Sequence, residues 1–336
     1  MSDLLQQTPS WSTTLWFALA AVALLLVVLF FVTYAIYFER KVIGWMQLRI
    51  GPNRVGPLGL LQTVADVAKL LLKEDTRPQH ADKALFTLAP ILAYAPAFGV
   101  LAVMPFTDSI RFADLGIGLL YYIALSGITV LGVITAGWAS NNKYSLIGGL
   151  RSAAQMISYE VPLVMSVVGV VLMTGSMNLR EIVLAQQDVW NIVPQFLGFA
   201  VFIVAAQAEL NRTPFDLPEA ESELVAGYHV EYSGFRFAMF MLAEYVYMFG
   251  MGALVTILFL GGWLPIHPSL SFIPGIVWFV LKFLLYVFFQ FWVRATFPRL
   301  RVDQLMSFAW KVLLPLALLN ILLTAVVISF QNGMIS

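Results

Sequence analysis

Residues 14–38 read TLWFALAAVALLLVVLFFVTYAIYF, 25 residues without a charge, closed by Glu39-Arg40-Lys41. About 20 apolar residues in a helix cross the hydrocarbon core of a bilayer, so the stretch is long enough to span. No basic segment precedes it, and its apolar run is longer than that of a cleaved signal peptide. It reads as a retained first span.

The rest of the chain agrees. Of 336 residues, 60% are hydrophobic and 11% charged, with a mean hydropathy of +0.84. Soluble domains carry about a quarter charged residues, so a soluble fold is excluded. Apolar stretches of helical length recur at about 84–104, 116–139, 153–174, 191–209, 236–260, 274–297 and 306–330. The fold class expected is therefore all-α: a polytopic membrane protein with about eight transmembrane helices, forming a single integral membrane domain over 1–336. No repeat of fixed period and no interdomain linker is visible.

An even number of spans puts both termini on one side, and cations decide which. Sixteen of the 19 Lys and Arg residues fall on one face, in the connections after spans one, three, five and seven. Only Arg111 and Arg180 fall on the other, with Lys282 inside a span. Connections rich in Lys and Arg stay on the cytoplasmic or matrix side, which places the long connections 39–83 and 210–236 inside and both termini outside. The formal net charge is zero, which speaks against a nucleic-acid partner.

There is no cysteine, so the chain holds neither an iron–sulfur cluster nor a thiolate metal site nor a disulfide. A membrane haem needs histidines on facing helices. His80, His229 and His267 all fall in polar or Pro/Gly-marked connections, so haem is not expected either. Electron chemistry must belong to a partner or to a diffusible substrate.

Within the first inner connection, residues 59–75 read GLLQTVADVAKLLLKED. Leu60, Val64, Val67 and Leu71 form one helical stripe, and Gln62, Asp66, Lys69 and Lys73 another. Such a segment is too short and too polar to span, and should lie at the membrane interface. Periodicity alone favours a surface helix that anchors the connection. The sharper reading is an apolar face bordering an opening through which a lipid-soluble molecule arrives. Asp66 and Lys69 then form either a local ion pair or part of that opening.

The second inner connection, 210–236, is net acidic where cations are expected: Asp216, Glu219, Glu221, Glu223 and Glu231 against Arg212 and Arg236. Asp216 followed three residues later by Glu219 resembles a capping box, with Pro218 in the first turn and Gly227 a stop. Glu219 and Glu223 then share a face and repel. A solvated charged loop is the plain alternative.

Three more carboxylates lie at membrane depth. Glu160 is about nine residues into span four and Glu244 about eight into span six, a depth near 12–14 Å for both. Glu209 ends span five just before the acidic connection. Charges at bilayer depth cost at least about 2.5–3.5 kcal/mol on insertion scales, so three together argue for use as a proton relay rather than decoration. Burial and mutual repulsion both act on such carboxyls in the direction a relay needs. Pro162 opens the backbone ladder beside Glu160. Lys282 either continues the polar path or pairs with a carboxylate on a neighbouring subunit. Arg294, Arg299 and Arg301 serve positive-inside topology, or hold the acidic connection or a docked partner's carboxylates.

The segments 39–75, ERKVIGWMQLRIGPNRVGPLGLLQTVADVAKLLLKED, 209–245, ELNRTPFDLPEAESELVAGYHVEYSGFRFAMFMLAEY, and 293–318, VRATFPRLRVDQLMSFAWKVLLPLAL, resemble signature stretches of the H-subunit family of proton-pumping NADH:quinone oxidoreductase, respiratory complex I. The resemblance runs over nearly the whole chain. It implies a subunit at the junction of the membrane and peripheral arms that forms much of the quinone chamber and begins the proton-coupling route. Quinone is then the substrate, and haem, flavin and iron–sulfur clusters belong to partner subunits. By the same resemblance Glu39, Arg40, Asp66, Lys69 and Arg294 fall in the quinone channel. Glu209, Asp216, Glu219, Glu221, Glu223 and Glu231 match an acidic funnel, and Glu160 and Glu244 match the buried carboxylates beyond it. The implied partners are the peripheral-arm quinone-site subunits, antiporter-like membrane subunits and lipid. The implied home is a bacterial plasma membrane or, second, a mitochondrial inner membrane, and no activity is expected of the chain alone. Two alternatives of other classes are an autonomous cation/proton antiporter, although neither inverted repeats nor helices broken at mid-membrane are evident, and a structural anchor for a redox arm.

Overall fold

The structure is a computed structural model and describes residues 11–217, 224–270 and 272–331. Among these residues it is all helical. Seven helices are long and apolar enough to cross a membrane, and the chain is a multi-pass membrane protein. We label the helices α1 (Trp11–Met46), α2 (Gln62–Leu72), α3 (Lys83–Gly99), α4 (Gly118–Ala139), α5 (Lys143–Thr174), α6 (Leu179–Leu184), α7 (Phe196–Glu209), α8 (Gly234–Leu258), α9 (Gly275–Thr296), α10 (Val302–Phe308) and α11 (Leu314–Gln331).

Burial orders these helices. The most apolar part of α8 is 83% buried and that of α1 only 11%, so α8 is the central post and α1 lies at the periphery. Small residues let neighbours approach α8 closely, as is usual between membrane helices. A Cβ on Gly252 would meet Tyr286 of α9 at 2.9 Å, and one on Gly250 would stand 3.4 Å from the Tyr122 hydroxyl of α4. The same device joins α4 to α3, where a Cβ on Gly132 would fall 2.7 Å from the Ala93 nitrogen.

Polar caps set several boundaries that hydropathy misplaces. The fourth span, expected from 153, begins ten residues earlier as α5, because Asn142 caps it by accepting the Tyr144 N–H at 2.9 Å. Asp82 caps α3 by accepting from Ala84 and Leu85. The stretch 191–209, expected as the fifth span, is helical only from Phe196, and at 14 residues α7 is shorter than the other seven. Its first residues serve other bonds: the Ile192 N–H goes to Phe259 and the Asn191 side chain to the Leu258 carbonyl, both at the C-terminal end of α8. The last span is continuous but contains a π-helical turn at Ala309–Leu313 between α10 and α11.

The expected interfacial helix forms as α2. The chain reaches it through a turn in which Gly59 has φ +83°, and a Cβ there would sit 2.3 Å from the Pro52 carbonyl oxygen, so only glycine fits. One side of α2 packs on α1 and α8. Leu60, Val64, Val67 and Leu71 remain exposed, an apolar stripe that the described residues do not cover.

Candidate functional site

The connection after α7 turns sharply back. Asn211 takes φ +52° and the Thr213–Pro214 bond is cis. Two glutamines hold this turn: Gln207 donates to the Thr213 carbonyl at 2.8 Å, and Gln155 of α5 donates to the carbonyls of Ala208 and Phe215 at 2.7 and 2.6 Å. Arg212 is thereby driven inward, and only 2% of it remains exposed.

A balanced charge group forms around Arg212. Its Nε donates to Glu244 at 2.8 Å and Nη1 to Glu39 at 3.2 Å. Glu39, buried at the inner end of α1, also accepts from Tyr245 at 2.9 Å and from Arg294 of α9. The Arg212 guanidinium lies over the Tyr245 ring at 4.5 Å. Two carboxylates thus face two guanidiniums, the condition under which buried charges are tolerated. Burial alone would depress the Arg212 guanidinium, but Glu39 and Glu244 outweigh it and hold it above an ordinary arginine.

Beyond this group the acids lose their cations. Glu209, at the inner end of α7 and fully buried, accepts from the Tyr247 hydroxyl at 2.5 Å, and its other oxygen has no hydrogen-bond partner among the described residues. Glu160, half-buried on α5, points at Gly127 of α4, where an added Cβ would lie 3.2 Å from Oε1, and it is within electrostatic reach of Glu209. A cavity of about 60 Å³ lies between the two groups, lined by Glu244, Glu209, Asn211, Thr129, Tyr247 and His229 among others. Ala93, Ala97, Val133 and Met156 are also in its wall, and the polar groups opposite them could hold a water. His229 is packed among Tyr228, Phe237 and Phe240. Burial pushes its imidazole down to about 3, so it stands in the cavity wall as a neutral ring rather than in a solvated connection.

The remaining candidates lie apart. Arg40 faces the opposite way from Glu39 and pairs with Asp66 of α2 at 2.6 Å, while Gln62 donates to the same carboxylate. Asp66 therefore pairs with Arg40 and not with Lys69, which lies exposed. Asp216 accepts from Arg299 at 3.2 Å and Glu231 from Asn142 at 2.6 Å. Glu219, Glu221 and Glu223, and with them the helix start expected at Asp216 to Glu219, fall outside the described residues. Arg301 pairs locally with Asp303. Lys282 is satisfied within the fold, donating to the carbonyls of Gly262 and Leu264 at 3.0 and 2.7 Å with the Trp190 ring at 4.1 Å. Among the described residues no group of three or more His, Asp or Glu side chains is placed to hold a metal.

Sequence reasoning missed the role of Arg212, which it counted only as a topology marker, and it missed Tyr245, Tyr247 and Gln155 altogether. The one available signal was a lone arginine at the head of an acidic connection.

These features define a class: a multi-pass helical membrane protein whose buried arginines and carboxylates form a connected polar interior. A family model described as NADH dehydrogenase matches residues 19–325. The chain is 90% identical to the H subunit of the NADH-quinone oxidoreductase of Brevibacillus brevis, over 99% of each chain. It is 69% identical to the H subunits of the Anoxybacillus flavithermus and Geobacillus kaustophilus enzymes, over 97% of this chain and 98% of theirs. The chain belongs to the H-subunit family of NADH-quinone oxidoreductase, and is a membrane component of that oxidoreductase complex.

Proposed function

We propose that this protein forms much of the quinone-access chamber and couples quinone reduction to proton translocation through its carboxylates. Quinone approaches from the bilayer past the uncovered stripe of α2, beside the Arg40–Asp66 pair and Lys69, towards Glu39 and Arg294. A cluster held in an adjoining peripheral-arm subunit supplies the electrons. Reduction to quinol takes up protons as well, so the charge balance next to Glu39 and Arg294 changes. Arg212, shared between Glu39 and Glu244, transmits that change by redistributing its hydrogen bonds. Glu244 then exchanges protons with water in the cavity, and Glu209 and Glu160 continue the path towards antiporter-like subunits. Asp216, Glu231 and the acids at 219, 221 and 223 act as the funnel that feeds it.

The observation that supports this most directly is the placement of Glu244 and Glu209 on one wettable cavity, with Glu39 tied to the first and Glu160 close to the second. The relatives are bacterial, which supports the plasma membrane as the location. The test is substitution in the assembled enzyme. Glu244→Gln and Glu160→Gln should lower quinone reduction and proton pumping together. Wild-type levels of both would end the relay reading, and lost assembly with fully coupled residual turnover would favour a structural anchor. The purified chain in liposomes should move no protons.

A further inference from the structure

α2 is tied to a different span at each end. On the approach to it the Tyr37 hydroxyl of α1 donates to the Leu58 carbonyl at 2.9 Å, and in its first turns Asp66 pairs with Arg40 of α1. Beyond its C-terminal end the chain runs on as a strap, 73–77, and here a single hydroxyl gathers three contacts. Ser233 Oγ, just before α8, accepts from the Thr76 N–H at 3.1 Å, donates to the Glu74 carbonyl at 3.3 Å and lies 3.1 Å from the Thr76 hydroxyl.

The head of α8 is a firm base for this strap. The Arg236 guanidinium faces Asp75 at 3.4 Å and lies 5.4 Å over the Phe86 ring of α3, on which Tyr232 stacks at 4.1 Å. Phe86 is buried. Gly234, the first residue of α8, has φ +56°, and a Cβ there would stand 3.1 Å from the Lys73 carbonyl oxygen and 3.6 and 3.7 Å from those of Leu70 and Glu74. Glycine thus lets the carbonyl end of α2 abut the N–H end of α8, the sense in which helix ends attract. The strap itself is exposed, so bonds rather than burial decide where it lies.

We propose that Ser233 is a positioning residue: with Gly234 and Arg236 it fixes the C-terminal end of α2 to the head of α8, and so sets the width of the opening that α2 frames beside Arg40 and Asp66. The Arg40–Asp66 pair holds α2 to α1, and Ser233 holds it to α8. The end of α2 can leave α8 only by breaking the contacts at Ser233. The consequence for quinone rests on the function proposed above, whereas the attachment itself does not.

Hydrogen exchange in the assembled, lipid-embedded enzyme reads the attachment. Ser233→Ala should speed exchange of the amides in the last turn of α2 by roughly two- to twelve-fold, the effect of about one net hydrogen bond on a local opening. Thr76→Val should do so to a smaller extent, and Thr76→Ser, which keeps the hydroxyl, should match wild type. Unchanged exchange in Ser233→Ala overturns the attachment. Steady-state kinetics of the same variants read the positioning. KM for quinone should rise in Ser233→Ala by no more than the same factor, because a smaller fraction of the enzyme then holds the opening in its binding-competent form, and kcat should stay fixed. Should Ser233→Ala fail to assemble, Thr76→Val, at an exposed position, decides. Faster exchange with unchanged KM overturns the positioning role where Asp66→Asn does raise KM. If Asp66→Asn also leaves KM unchanged, the quinone opening beside α2 has failed and the attachment stands.

Discussion

Glu39 and Glu244 on one hand, and Glu209 and Glu160 on the other, are the same side chain in two electrostatic settings. The first two share Arg212, and Glu39 holds Arg294 as well. The second two have no ion pair among the described residues, and Glu209 is held by a tyrosine hydroxyl alone. Removing a buried carboxylate that is held by a guanidinium strands its partner. One with only a neutral partner can be replaced by an amide without leaving a cation exposed to the low-dielectric interior. The difference separates Glu39 and Glu244, which a shared cation ties to the fold, from Glu209 and Glu160, which no cation among the described residues holds.

The most damaging substitution should therefore be Arg212→Met. It leaves Glu39 short of one partner and Glu244 without its cation, a loss of about 3–5 kcal/mol for a broken buried pair. The expected outcome is little assembled enzyme in the membrane, or enzyme with a sharply lowered inactivation temperature. Combining Arg212→Met with Glu244→Gln removes one stranded charge and should recover part of the loss. Wild-type stability of the single variant would erase the contrast between the two settings.

Glu209→Gln probes the other setting. The Tyr247 hydroxyl can still donate to the amide oxygen, so stability should stay within about 1 kcal/mol of wild type. An amide does not carry the proton, so quinone-linked pumping should fall steeply in enzyme that assembles normally. A variant that pumps normally would show that cation-free burial alone does not mark a relay acid.

Much of this was legible from hydropathy and charge. Of the eight apolar runs read as spans, seven are helices long enough to cross about 30 Å of hydrocarbon and the run 191–209 yields only a shorter helix, and the stripe at Leu60, Val64, Val67 and Leu71 announces α2. What hydropathy could not carry was set by individual polar side chains. Asn142 starts α5 inside the polar stretch KYSLIGGLRS, where no apolar run points to a helix. Asn191 ties the lead-in to α7 to the end of α8 and so shortens that helix. The acids at membrane depth were visible as anomalies, but their division into paired and unpaired depends on Arg212. That arginine is distant from Glu39 and Glu244 in sequence, and it reaches them only because Gln155 and Gln207 hold the turn that carries it. Asp66 shows the same limit at smaller scale, since periodicity offered it Lys69 and the fold supplied Arg40.

Lys282 gives a control for stability without coupling. Its ammonium holds the Gly262 and Leu264 carbonyls of the outer connection, and charge-assisted hydrogen bonds of this kind contribute about 1.5–3 kcal/mol each. Lys282→Met should lower thermal stability more than Glu209→Gln does. Protons pumped per electron should be unchanged in the surviving enzyme. A changed ratio would place Lys282 on the proton path.

The smallest structural effect should come from Asp66→Asn. Arg40 is 45% exposed and Asp66 27%, and a pair this open to solvent is worth about 0–1 kcal/mol. Neither group is left buried without a partner when the charge is removed, and Gln62 can still donate to the remaining carbonyl oxygen. Stability and assembly should not change measurably. The pair nevertheless sits where α2 meets α1, next to the apolar stripe that the proposed quinone route follows. If that route is used, altering the pair should change how readily quinone reaches the chamber and raise KM for quinone, while kcat and protons pumped per electron stay fixed. A fall in kcat with KM constant would move Asp66 from the access opening into the coupling machinery, and coupling would then have to reach an exposed carboxylate as well.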